Sequence, residues 1–152
     1  MKTIAHSCVL AIALLCAACT STSQKPSAKD AQALFNNYQL LGLAYDPAIA
    51  NLYCDSGRML NTRTYPDGQK RLIEMKAPEW KALIITAMPV AKARGDYSTF
   101  SNVTYTPEGD NIRITATRYS ALKKYSSPFS LLVGQCDDQD WAILEEVGES
   151  RP

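Results

Sequence analysis

Apolar residues recur along this chain at two different spacings, and the change from one to the other divides it. Between residues 28 and 45, Leu34, Tyr38, Leu41 and Tyr45 fall on one face at helical spacing. Ser27, with Asp30 three positions on, has the character of a capping box and predicts where that helix starts. Asp46-Pro47 predicts a second cap with proline in the first helical turn, opening a short helix over PAIANLY. In SGRMLNTRTYPDGQKRLIEMK two strand-like runs flank Pro66-Asp67-Gly68, the pattern of a hairpin. Helical spacing returns at Ala77-Pro78-Glu79, where Trp80, Leu83, Ile84, Ala87, Met88 and Ala91 form one stripe and Gly95 ends the run. Pro89 should bend this helix or close it early, because proline cannot donate to the preceding turn. From Tyr97 onward the period is two. YSTFSNVTYT and NIRITATRYSALKKY flank a turn at Pro107-Glu108-Gly109-Asp110, and SPFSLLVGQC and WAILEEVGE flank Asp137-Asp138-Gln139-Asp140.

The first residues follow a different logic. Lys2, the apolar run VLAIALLCAA and small residues before Cys19 have the layout of a secretory signal over residues 1–18. The run is shorter than the roughly 20 residues of a spanning helix. Cys16-Ala17-Ala18-Cys19 resembles the lipobox of bacterial lipoproteins, with Cys16 where that pattern usually has Leu. The resemblance implies lipidation of Cys19, and TSTSQKPS then reads as a flexible tether, over residues 19–27. Thr20 rather than Asp after the cysteine points to the outer membrane, with the domain facing the periplasm. An ordinary signal cut at the same bond is the alternative.

Removal of that segment changes the remaining chemistry. The 16 Lys and Arg lose Lys2 and come into balance with 15 acidic residues, which argues against a nucleic-acid partner. The single histidine, His6, is lost as well, and with it Ser-His-Asp catalysis, Cys-His catalysis and His-bearing zinc sites. Cys54 and Cys136 remain as an even pair, which in an oxidising compartment predicts a disulfide; two separately buried thiols are the other reading. No zinc spacing and no Gly-rich phosphate loop is present, so neither a metal nor a cofactor is expected. Asp137, Asp138 and Asp140 lack the glycine and bidentate glutamate of a calcium loop and read as turn residues.

Helices first and antiparallel strands afterwards predict an α+β fold with helices on one face of a curved sheet. Over residues 28–148, in this element order and in the junction YDPAIANLYCDSGRML, the chain resembles the NTF2-like superfamily, also called SnoaL-like or ketosteroid-isomerase-like. The resemblance implies a single domain over 28–150, a cone of curved, mostly antiparallel sheet with helices packed on its concave face, and a pocket between them. Its isomerase branch uses an Asp on the first strand as base and a Tyr on the first helix. Aligned on Leu52-Tyr53, this chain has Asn61 at the base position and Asn37, one residue before Tyr38, at the other. An amide cannot take that proton.

Among nearby carboxylates, Asp46 reads as a helix cap and Asp55 as a turn residue, with Asp55 the one weak catalytic candidate. Tyr38, Tyr45, Asn61, Trp80, Phe100 and Phe129 are the pocket candidates; as core residues they would need no ligand. Alternation places Arg58 and Arg63 on opposite faces of the first strand. It turns Ile112, Ile114 and Ala116 inward on the fourth and leaves Arg113 solvated. These readings together predict a non-catalytic binding or interaction module for a small apolar ligand or an envelope protein. A homodimer through the open sheet face is a further expectation. The alternatives are a cofactor-free lyase or isomerase and a role in secretion assembly or immunity.

Overall fold

A left-handed backbone at Tyr45 (φ 56°) ends the first helix, and the helical spacing of apolar residues stops at the same residue. The computed structural model describes residues 27–136 and 139–151; the stretch expected to be a signal, Cys19, the stretch expected to be a tether, Asp137 and Asp138 lie outside the described residues, as does the side chain of Asp140. Helix α1 spans Ala28–Ala44. The Ser27 hydroxyl accepts the Asp30 N–H at 3.3 Å and donates to the Asp30 carboxylate at 2.6 Å, as the sequence predicts. Asp46 caps a short 3-10 helix, Pro47–Leu52, by accepting the Ala48 N–H at 2.8 Å.

Strands β1 (Tyr53–Thr64) and β2 (Lys70–Lys76) form the first hairpin, and α2 runs Ala77–Arg94 to a left-handed Gly95 (φ 62°). Pro89 does not close α2 early. The helix loses one backbone hydrogen bond there and continues for another turn. Strands β3 (Ser98–Glu108), β4 (Asn111–Ser120), β5 (Tyr125–Cys136) and β6 (Gln139–Ser150) follow.

The six strands form one sheet in the order β2-β1-β6-β5-β4-β3. All neighbours are antiparallel except β1 and β6, which pair in parallel. Several register breaks shape the sheet, and two of them bear on its faces. In β3, Asn102 (φ 53°) interrupts the register between Ser101 and Thr104. In β6, Leu144 is an extra residue: Ile143 faces Val133 and Glu145 faces Leu132, so side chains on either side of Leu144 exchange faces. Gly57 makes room for this bulge, since a β-carbon there would sit 3.0 Å from the carbonyl oxygens of Cys54 and Leu144.

The inner face of the sheet buries Ile112, Ile114, Phe129, Leu131 and Val133 against Leu34 and Phe35 of α1 and Ile84 of α2. Each fully buried side chain of this size contributes about 1.5–3 kcal/mol. The outer face carries the ion pairs: Arg58 and Arg113 both hold Glu145, at 2.7 and 2.8 Å, and Arg113 also holds Glu108 at 2.8 Å. Arg113 is therefore a structural cation on the outer face. A Cys54–Cys136 disulfide joins the start of β1 to the end of β5. Bridging 82 positions, it stabilises the fold by roughly 4 kcal/mol through the unfolded chain.

Candidate functional site

Helix α2 buries only Ala77 and Ile84 of its 18 residues, although its apolar stripe is complete. The stripe faces an opening as well as the core, against which Trp80, Ile84 and Met88 pack. Between α2 and the inner sheet face lies a cavity of about 610 Å³, and Trp80, Leu83, Ile84, Ala87, Met88 and Ala91 form its helical wall. Tyr38 from α1 and Phe100 from β3 close the opposite side, while Arg63 and Arg118 bring the charge. Leu83 stays 45 % exposed because it borders this space.

Behind Tyr38 and Tyr53, which both line the cavity, lies Glu146, only 6 % exposed. Both phenols donate to its Oε2, Tyr53 through a short hydrogen bond and Tyr38 at 3.4 Å. Burial pushes the Glu146 carboxyl above the ordinary carboxylate range; the Tyr53 hydroxyl, the Arg118 charge and the Tyr38 hydroxyl recover only part of that shift. The same burial, with the nearby Glu146 charge, raises both phenols well above their usual range, so they remain protonated donors. A carboxyl raised this way keeps its proton to higher pH than a solvated one and has the character of a general acid or base.

Among the described residues, Arg118 Nε on the cavity wall and Ser127 Oγ, which is outside the lining, are buried without a hydrogen-bond partner. Arg118 uses its Nη2 to hold the Glu149 carbonyl and to reach the Tyr125 hydroxyl at 3.4 Å. Ser127 lies opposite Arg118 in the β4–β5 register. No group of three or more His, Cys, Asp or Glu among the described residues is placed to hold a metal ion.

Of the pocket residues expected from sequence, Tyr38, Trp80 and Phe100 line the cavity. Three others do not. Phe129 packs one layer deeper, 4.9 Å from the Phe100 ring and 5.8 Å from Tyr38. Asn61 has its amide committed to Ser150 Oγ at 2.7 Å. Tyr45 is the left-handed C-cap of α1 and is not part of the cavity lining. Asp55 is exposed, is held by Lys81 and does not line the cavity. Arg63 lines the cavity and Arg58 the outer face, as alternation requires.

Sequence reasoning missed Glu146, Arg118 and the role of Tyr53. Arg118 was within reach, since it continues the inward series Ile112, Ile114, Ala116. Glu146 was not, because the Leu144 bulge reverses the parity that Ile143 sets.

A curved six-stranded sheet whose helices enclose a cone also appears in solved structures. An NTF2-like protein of unknown function from Pseudomonas putida KT2440 superposes with a TM-score of 0.61 at 12 % identity, over 80 % of this chain and 84 % of that one. This chain has an NTF2-like fold. A candidate dehydratase of the NTF2-like family from Streptomyces avermitilis gives 0.56 at 14 % identity, over 80 % and 93 %. An NTF2-like protein with a cystatin-like fold from Novosphingobium aromaticivorans gives 0.51 at 16 %, over 80 % and 79 %. No protein-family profile and no curated protein matches the chain. At these identities the NTF2-like architecture is shared, and the cavity residues must be interpreted from this chain alone.

Proposed function

We propose that this NTF2-like chain is an envelope lipoprotein, tethered through Cys19 and facing the periplasm, that holds one small and largely apolar molecule in its cone. The observation that carries the binding role is the open cavity of about 610 Å³ behind a complete apolar helix stripe. That volume lies within the range of small-molecule sites, roughly 300–1,000 Å³. The signal-like start and the Cys54–Cys136 disulfide, which suits an oxidising compartment, support the location. Native mass spectrometry of residues 20–152, exported to a periplasm and purified gently, tests the binding role. The expected result is an adduct that denaturation releases and that Ala87→Trp, which fills the cavity, abolishes while the far-UV spectrum is kept. A clean protein mass from every gentle preparation overturns it.

One observation favours a second reading, cofactor-free proton transfer of the lyase or isomerase kind. Glu146 is a buried carboxyl of raised pKa, linked to the cavity through the Tyr38 and Tyr53 hydroxyls. Deuterium exchange into a bound ligand, lost in Glu146→Gln with binding retained, would support it; equal exchange in both proteins would remove it.

A further inference from the structure

The cone does not end at its apolar wall. A second hollow of about 310 Å³ shares Asp96, Ser98 and Arg118 with the main cavity, so the two spaces meet at Arg118. Its remaining walls bring in Lys123, from the turn between β4 and β5, and Arg151, just past β6, beside the hydroxyls of Ser120 and Tyr125. We infer that the ligand held by the cone is an amphipathic anion, with its apolar body against the α2 stripe and its anionic group in this basic hollow. The inference rests on the binding role proposed above and specifies the ligand class.

Charge carries it first. Arg118, Lys123 and Arg151 meet a single carboxylate, Asp96, on these walls. Among the described residues none of the three cations forms an ion pair, whereas Arg58 and Arg113 on the outer face are both held by glutamates. In a chain whose formal net charge is only +1, that local excess is what an anion would meet.

The hollow is also held in shape. Tyr125 Oη accepts the Arg151 N–H at 3.1 Å and the Arg118 guanidinium at 3.4 Å, and the Arg151 guanidinium lies over the Tyr125 ring, 5.2 Å from its centre. Ser120 Oγ accepts the Lys123 N–H at 3.3 Å. At the junction, Arg118 Nε remains buried without a partner. A neutral ligand would leave Lys123 and Arg151 without an ion pair. An anion gains charge-assisted hydrogen bonds from them.

Two fluorescent probes with one ring skeleton test this: 8-anilinonaphthalene-1-sulfonate and its sulfonate-free parent N-phenyl-1-naphthylamine, titrated against residues 20–152. The expected result is that the sulfonate binds about tenfold more tightly. In Lys123→Ala/Arg151→Ala the ratio of the two affinities should fall roughly three- to tenfold. Ala87→Trp should abolish both signals, which places the probes in the cone. Equal affinities, or tighter binding of the neutral probe, overturn the anion inference and leave the binding role standing. Binding of neither probe removes both.

Discussion

Glu145 and Glu146 are consecutive on β6, and the two sides of the sheet treat them in opposite ways. Burial pushes Glu145 upward, but hydrogen bonds from Arg113 and Arg58, with their charges, outweigh it and leave the carboxyl below its usual range. Burial also pushes Glu146 upward, and two phenols with the Arg118 charge do not bring it back. The outer face supplies guanidinium groups in contact with water. The inner face supplies hydroxyls in an apolar enclosure. Residue type therefore says little about acid strength here, and the face of the strand says nearly everything.

The largest expected effect comes from removing each acid in turn. Glu146→Ala leaves two buried phenols without their acceptor and opens a void, which should cost about 2–4 kcal/mol in urea denaturation. Glu145→Ala breaks ion pairs whose Arg58 side chain is half exposed, and should cost less than about 1 kcal/mol. Equal costs would break the comparison.

The pH dependence sharpens it. A carboxyl raised in the folded state contributes stability that is fully present below its unfolded value and is lost as pH rises through the folded value. Glu146 should therefore lower stability as pH rises above its unfolded value of about 4.3, by at most about 1.4 kcal/mol per pH unit. Glu145 has the opposite sign: its contribution is present above its unfolded value and is lost as pH falls through the lowered one. Thermal denaturation across pH 3–8 should show Glu146→Gln flattening the alkaline decline and Glu145→Gln flattening the acid one. The smallest effect is that of salt. Raising sodium chloride to 1 M should shrink the stability difference between wild type and Arg58→Ala to a few tenths of a kcal/mol and leave the effect of Glu146→Ala unchanged, because only the outer pairs are screened.

Much of this fold was legible in the chain. Ser27, Asp46, Pro78 and Gly95 mark helix ends by local chemistry that needs no tertiary context, and the boundaries follow them closely. The α2 stripe was equally legible, and its six residues form the helical wall of the cavity. What the stripe could not say is that it borders empty space, because apolar spacing looks the same against core or cavity. Phe129, named among the pocket candidates, packs in the core. Asp55 and Asn61 were chosen by position along β1, and their partners Lys81 and Ser150 come from distant segments. Glu146 was hidden by a bulge, a feature of pairing between strands that leaves no trace in the alternation of one strand.

That bulge has a genetic side. Loss of the single codon for Leu144 would close the bulge and leave every side chain on its present face, because Val133 and Leu132 already pair with Ile143 and Glu145 as consecutive residues. Ile143 would still point inward, Glu145 toward the arginines and Glu146 toward the tyrosines. The identity of the inner carboxyl is therefore protected against that deletion, whereas a one-residue slip of β6 past β5 would exchange the two acids.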